Sequence, residues 1–343
     1  MGFTDESKVF IVAELSANHN QKFDIAVKTI KAAKQAGADA IKLQTYTPDT
    51  MTIDCDNEYF KIKDGLWKDY NFYELYKEAF TPWEWHDELF RIAGEEGLIC
   101  FSTPFDKTAV EFLEKLNNPI YKISSFEIRD IYLIKYAASK GKPMIISTGI
   151  AEPEDIKMAV DICRSVNNND ITLLKCTSAY PAPIEEANLA TIPDMKDKFN
   201  VKVGVSDHTL GTTVPVIATI LGATVVGKHF ILNKSLGGPD AAFSLDYHEF
   251  SDMVNAIRES EKAIGKVSYN LSNKVKKNKI YGRSIFVIKD IPKGELFNED
   301  NIRIIRPGYG LHPKYFTDIL NKKSSTEIKR GTPLTMDMID FRE

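Results

Sequence analysis

Residues 201–230 read VKVGVSDHTLGTTVPVIATILGATVVGKHF, and the rest of the chain can be ordered around them. Two short β-type runs, Val201 to Val205 and Thr224 to Val226, each deliver a polar cluster: Ser206-Asp207-His208-Thr209 after the first, Lys228-His229 after the second. Between them, Thr212 to Leu221 is apolar and helix-like. A strand-helix-strand unit of this kind makes its two strands parallel neighbours whose C-terminal ends open on the same side. The imidazoles of His208 and His229 are therefore expected to face one cavity. Neutral imidazole nitrogen binds Mn, Fe, Co or Zn, so the pair points to a divalent cation; the alternative is that each His caps its own strand through a backbone hydrogen bond.

Working outward, the chain alternates short β-rich runs with amphipathic helical ones. Strands are predicted at Val9 to Ala13, Ala40 to Leu43, Leu98 to Phe101, Ile120 to Ile123, Pro143 to Ile146, Thr172 to Lys175, Val201 to Val205 and Thr224 to Val226. Helices are predicted between them, among them Ile25 to Ala36 with Gly37 as its C-cap, Pro82 to Ala93 opening at a Thr81-Pro82 N-cap, and Tyr247 to Ile264. Eight β-α units over this length predict an α/β fold, a (β/α)8 TIM barrel. That fold requires chemistry at the C-terminal ends of the strands. Those positions hold Glu14, Lys42 and Gln44, Ser102-Thr103, Lys122 and Ser125, Ser147-Thr148, Thr177-Ser178 with Tyr180, Ser206-Asp207-His208, and Lys228-His229.

Thr45 to Phe80 breaks the rhythm, being long and rich in aromatics, including Tyr46, Tyr59, Trp67, Tyr70, Phe72 and Tyr76. A long connection on the active face of a barrel is a lid or substrate wall; the other reading is that its rings cover the barrel mouth or a subunit contact. After residue 265 the pattern changes. Domains are expected at 1–265 (barrel), 266–282 (a polar, basic linker) and 283–343 (a small β-rich module). The module holds a near-repeat, Asp290 to Ile302 against Glu327 to Ile339, with Gly294 and Gly331 at matching turns.

A net charge of −4 argues against bulk nucleic-acid binding. The four cysteines, Cys55, Cys100, Cys163 and Cys176, form no CxxC pair, and Cys100 and Cys176 read as buried, reduced thiols. No apolar run is long enough to span a bilayer, the polar N-terminus is not a signal peptide, and Glu6 stands where a myristoylation signal needs Ser or Thr. No membrane partner and a cytoplasmic location are expected.

Two lysines, Lys42 and Lys122, with a ring of hydroxyls on Thr103, Ser125, Ser147, Ser178 and Ser206, suit a small phosphorylated acid. A lysine there could instead form a Schiff base, which requires a lowered pKa that a neighbouring lysine could cause. The residues then carry a resemblance. VAELSANHN (12–20), ADAIKLQT (38–45), STPF (102–105), YKISSFE (121–127), STGI (147–150), KCTSAYP (175–181), GVSDHT (204–209), KHF (228–230) and GPDAAFS (238–244) follow the order and spacing of the sialic acid synthases. These enzymes condense phosphoenolpyruvate with amino sugars in nonulosonic acid biosynthesis. Residues 283–314 resemble their antifreeze-like (SAF) domain. The segment 122–127, Ser178, the GLW and YELY phrases at 65–67 and 73–76, and RPGYGLHP at 306–313 look most like the pseudaminate branch, with the legionaminate and N-acetylneuraminate branches as alternatives.

The resemblance implies that His208 and His229 bind Mn2+ or Mg2+, or Co2+. It implies that Lys42, Thr103, Lys122, Ser125, Ser147, Ser178 and Ser206 hold phosphoenolpyruvate, and that Glu14, Gln44, Glu127, Tyr180 and Asp240 surround an N-acylated amino sugar. Arg306 of the partner subunit would meet the N-acyl group in a domain-swapped homodimer. Glu14 is the implied water-positioning base, and Asp240 or Tyr180 handles the sugar's protons. One position departs from the family pattern: Gly227 stands where a carboxylate is usual two residues before the second His, so that either Glu14 and Asp207 suffice to orient metal-bound waters or metal affinity and rate are reduced. His19, His86, His248 and His312 are read as structural or surface residues. Rival readings are an imine-forming aldolase using Lys42 or Lys122 and a sugar-binding module without turnover.

Overall fold

The computed structural model describes residues 8–340. Eight parallel strands close into a barrel in chain order: β1 Phe10–Glu14, β2 Ala40–Thr45, β3 Ile99–Pro104, β4 Tyr121–Ile123, β5 Met144–Ser147, β6 Ile171–Cys176, β7 Lys202–Asp207 and β8 Val225–His229. β8 closes the ring on β1, with Phe10 beside Val225 and Glu14 beside His229. Because both faces of each strand are covered, the strands read as nearly continuous apolar runs. Several observed strands run on into the polar residues expected just beyond them: Glu14, Gln44, Ser102-Thr103, Ser147, Ser206-Asp207 and Lys228-His229 all lie within their strands, whereas Ser125, Ser178 and His208 follow theirs.

Within those runs the two-residue period still sorts the side chains. Phe10, Val12, Ala40, Phe101, Ile120, Ile145, Leu174 and Val225 form a buried cluster inside the ring. Their alternates, such as Ile11, Ile41, Ile146 and Val226, join the larger core shared with the helices. Two residues beyond the inner apolar layer, pointing the same way, come Glu14 after Val12, Lys42 after Ala40, Thr103 after Phe101, Lys122 after Ile120, Ser147 after Ile145 and Cys176 after Leu174. The barrel thus has an apolar floor carrying a polar mouth. Burying one such apolar side chain contributes about 1.5–3 kcal/mol, so the floor is also a stiff base for the groups above it.

The first helix, Phe23–Gln35, stops before Gly37, whose φ of +93° is costly for residues with a Cβ. The Thr81-Pro82 expectation needs correction. A 3-10 turn, Trp83–Trp85, precedes the helix His86–Glu95, and Pro82 flanks it without a side-chain cap. The Thr81 hydroxyl is instead 3.2 Å from His19 Nε2. The last barrel helix, Tyr247–Ile264, opens on a capping box in which Asp246 accepts from the backbone N–H groups of His248 and Glu249, and Glu249 accepts from that of Asp246. No helix among the described residues is long and apolar enough to cross a membrane.

Contacts divide the chain between Gly265 and Lys266 into two compact units. In the second, Ser284–Val287 pairs antiparallel with Ile302–Ile305, and Lys323–Ser324 with Ile339–Asp340. The near-repeat folds on itself: Ile291 and Ile328 exchange backbone hydrogen bonds of 2.8 Å each, and Gly294 and Gly331 have φ of +86° and +87°. Matching positions Phe297 and Leu334, and Ile302 and Ile339, share one small core.

Candidate active site

A cavity of about 480 Å3 opens over the polar mouth of the barrel. Glu14, Lys42, Gln44, Thr103, Lys122, Ser125, Glu127, Ser147, Tyr180, Ser206, His208, His229 and Asp240 all line it. Two expectations, for Ser178 and Asp207, differ from the structure, and Arg306 lies where it was expected, in the C-terminal unit. Ser178 is not among the lining residues; its hydroxyl lies 4.0 Å from Cys176 Sγ, beyond the end of β6. Asp207 does not face the cavity, because the strand's alternation turns it outward between Ser206 and His208, where its Oδ2 accepts from buried Lys228 Nζ at 2.5 Å. Asp207 and Lys228 therefore neutralise each other behind the wall. Arg306 belongs to the second unit, where it is exposed.

Glu14 and Lys42 form a buried ion pair at 2.9 Å, with Lys42 Nζ also 3.5 Å from the Thr103 hydroxyl. Burial disfavours the charged form of Glu14, but Lys42, His229 and Lys122 outweigh it and hold the carboxyl well below the usual carboxylate range. Glu14 is thus an anion in the ligand-free site, paired with Lys42 and near Lys122. Burial above all, and then Lys42, bring Lys122 down to about 8. Glu127 is moved the other way: burial raises its carboxyl although the Ser124 hydroxyl donates to it and Lys122 is near. Burial likewise raises the Tyr180 phenol, which therefore keeps its proton.

Two buried polar atoms of this wall, the Ser147 hydroxyl oxygen and His229 Nδ1, have no hydrogen-bond partner. Such an atom costs about 1–3 kcal/mol, a penalty that a bound polar ligand would remove. The Gly149 N–H donates to Ser125 Oγ at 3.0 Å, which fixes that hydroxyl on the cavity wall beside Cys176. The floor of the cavity is therefore polar and holds buried groups that a ligand could satisfy.

The histidine rings stand 5.3 Å apart, centre to centre. Two imidazoles bonded to one cation at about 2.1 Å sit at about this spacing. His208 Nδ1 is 3.1 Å from the Thr177 carbonyl oxygen; a carbonyl only accepts, so Nδ1 carries a proton and Nε2 is the atom that a cation would meet. Burial opposes charging of this ring, but Cys176 and Glu14 raise it above the ordinary histidine value. Burial takes His229 down to about 4, which keeps that ring neutral and able to ligate. The alternative in which each ring caps its own strand is not what His208 shows: its backbone partner, Thr177, follows β6 rather than β7. Among the described residues no group of three or more His, Cys, Asp and Glu side chains is arranged to hold a metal ion. The donors present fit a cation with two protein ligands and its remaining positions left to water or a substrate.

Several lining residues were not singled out as functional in sequence. Cys176 Sγ is 3.8 Å from His208 Nδ1; burial opposes its ionisation, but His208, Ser125 and Lys122 hold the thiol below its ordinary value. Phe243 packs against Tyr180, His208 and His229 at centroid distances of 5.0, 6.0 and 4.8 Å. The long connection is a wall of this cavity. It folds into helices Pro48–Met51 and Phe72–Ala79, and contributes Tyr46, Met51, Ile62, Trp67, Phe72, Leu75, Tyr76 and Ala79 to the lining. Trp67 donates its indole N–H to the Pro239 carbonyl at 3.0 Å and packs on Tyr180. Other rings of the same stretch face away, and Tyr59 is 82% exposed.

Residues 29–269 match the NeuB family and residues 282–340 match the SAF domain. The chain is 50% identical to a pseudaminic acid synthase of Campylobacter jejuni, covering 97% of both chains. It is 34% identical to an N,N'-diacetyllegionaminic acid synthase of Legionella pneumophila, covering 96% of this chain and 94% of that one. Among solved structures, an N-acetylneuraminic acid synthetase from Leptospira borgpetersenii, in complex with citrate, superposes with a TM-score of 0.71 at 28% identity, covering 80% of this chain and 90% of that one.

Proposed function

This chain belongs to the NeuB family, and from that premise we propose that it joins phosphoenolpyruvate to 2,4-diacetamido-2,4,6-trideoxy-L-altrose, yielding pseudaminic acid and inorganic phosphate. The observation that carries the reading is the socket formed by Lys42, Lys122, Thr103, Ser125, Ser206 and the unpartnered Ser147 hydroxyl, set in one cavity with the two imidazoles. Lysine ammoniums and hydroxyls hold the carboxylate and phosphate of the donor, with Ser178 next to this group. His208 and His229 would hold a divalent cation, Mn2+ or Mg2+, which when bound supplies Lewis-acid polarisation of the sugar aldehyde.

The chain's own residues do the rest. By fixing the enol phosphate, Lys42 and Lys122 place its C3 against the aldehyde carbon of the open-chain sugar. C3 attacks, a carbon-carbon bond forms, and C2 is left electron-poor. Glu14, ionised in its lysine setting, accepts a proton from the water that adds at C2. The tetrahedral product expels phosphate by breaking its C–O bond. Asp240, whose Oδ2 accepts the Ala17 N–H at 3.2 Å, is fixed to receive sugar hydroxyls; Gln44 and Glu127 lie on the same wall, and Tyr180 donates its phenolic proton. We infer that Arg306 of a partner subunit meets the N-acyl group in a homodimer.

The apolar lining from Ile62, Phe72, Leu75 and Ala79 favours a deoxy, N-acylated acceptor over a polyhydroxylated one. Phosphate release is measured with this sugar, its 2,4-diacetamido-2,4,6-trideoxy mannose counterpart and N-acetylmannosamine. We expect kcat/KM to favour the first by about 10–200-fold, and EDTA to abolish release until Mn2+ or Mg2+ is returned. Preference for N-acetylmannosamine would overturn the branch. The lowered pKa of Lys122 would also suit an imine-forming aldolase; borohydride with both substrates present should leave no covalent adduct.

A pH dependence follows as well. The Lys122 ammonium is intact below about 8 and lost above it. KM for phosphoenolpyruvate should therefore stay flat below that value and rise by about tenfold per pH unit above it. A flat KM to pH 10 would remove Lys122 from donor binding.

A further inference from the structure

Gly227 lies in the middle of β8, where a closed-barrel strand gains nothing from glycine and loses conformational entropy. Its backbone φ is not in the left-handed region that would demand glycine. Space is the remaining reason. A Cβ built on Gly227 would lie 2.7 Å from Glu14 Oε1 and 3.7 Å from Glu14 Cδ, with the Val205 carbonyl oxygen next at 3.9 Å. Gly204 on the neighbouring strand is a different case: its Cβ would run into the Val225 backbone, so packing of the barrel itself excludes a side chain there. At Gly227 the only close neighbour is the tip of one carboxylate.

That carboxylate is not free to move aside without consequence. Its other oxygen, Oε2, is 2.9 Å from Lys42 Nζ and 3.5 Å from His229 Nε2. The register places Glu14 between these partners, opposite Lys42 on β2 and opposite His229 on β8. We propose that Gly227 is a positioning residue for the reaction, and that its missing side chain is the slot in which the Glu14 carboxylate lies across the barrel mouth. The sequence departure at this position then has a role: the chain carries no carboxylate at residue 227 because Glu14 occupies that volume. This inference rests on the water-positioning role proposed for Glu14.

Gly227→Ala meets only a side-chain tip, so the protein folds with the carboxylate pushed out of line. A displacement of about 1 Å at a reacting group costs about 10^2-fold in rate. We expect kcat to fall by about that factor while KM for phosphoenolpyruvate changes by less than about threefold. The deciding measurement is a double-mutant cycle with Glu14→Asp, whose shorter side chain vacates the slot. The double variant should turn over within about threefold of Glu14→Asp alone and unfold at the same temperature. Wild-type kcat in Gly227→Ala, multiplicative losses in the double variant, or failure of the double variant to fold would each overturn the slot. Glu14→Gln separates the two layers: if it is inactive while Gly227→Ala is fully active, the reading of Glu14 stands and this inference falls. If Glu14→Gln is fully active, the reading itself falls.

Discussion

Glu14→Gln lowers kcat by about 10^2–10^4-fold, the range for loss of a general base, and leaves phosphoenolpyruvate binding unchanged or tighter. The substitution keeps the shape of the side chain and removes its charge. In the ligand-free protein that charge is present at neutral pH, since Lys42, His229 and Lys122 overcome the effect of burial. Glutamine cannot take a proton from water. Donor binding is spared because an amide 2.9 Å from Lys42 no longer competes with the donor's anionic groups for the ammonium. Stopped-flow phosphate release and calorimetric binding of phosphoenolpyruvate read the two effects separately. Turnover near the wild-type rate would take Glu14 out of the mechanism.

Lys42→Met should be the most damaging change to stability in the site. The Glu14 and Lys42 side chains are 6% and 5% exposed, so removing the cation leaves a buried carboxylate facing burial without its main partner. Breaking a pair of this kind costs about 3–5 kcal/mol. The pH dependence has a definite sign. In the wild type the folded pKa of Glu14 is depressed, so its contribution is present above the ordinary value of 4.5 and is lost as pH falls. The gap between wild type and Lys42→Met should therefore be largest at neutral pH and narrow on acidification below about 4.5. KM for phosphoenolpyruvate should rise by about 10–100-fold, the worth of a lost charged hydrogen bond. Adding Glu14→Gln to Lys42→Met should restore part of the stability and none of the turnover. Urea unfolding of the four proteins at two pH values measures this, and equal stability at both would refute the coupling.

Much of this arrangement was legible in the residues because the strand period is a physical constraint. Glu14, Lys42, Thr103, Lys122 and Ser147 each follow an inward apolar residue by two positions, and all of them reach the cavity. The same rule, applied more strictly, would have placed Asp207 correctly: with Ser206 and His208 facing in, the residue between them must face out. It also separates Lys228 from His229. Ser178 escaped the rule because it lies beyond the end of β6, where alternation no longer holds. Cys176 was rightly expected to be buried, but a thiol in a core and a thiol in a cavity look alike in sequence. Phe243 and Leu75 were illegible for a related reason: an apolar residue gives no sign of whether its neighbours are other side chains or a ligand. The part of the cavity built from polar groups could be read; the part built from apolar ones needed the fold.

The wall formed by residues 46–80 lies outside the hydrogen-bonded ring of β1 to β8. Under the proposed function the two substrates would draw on partly separable parts: the ring would carry the groups for the three-carbon anion, and the insert would add apolar surface beside the sugar contacts of Gln44, Glu127, Tyr180 and Asp240. A lineage could exchange one insert for another, and so change which sugar it accepts, without disturbing a single ladder bond of the barrel. Diversification within such a scaffold would proceed by grafting at one loop, and the same route is open to an engineer.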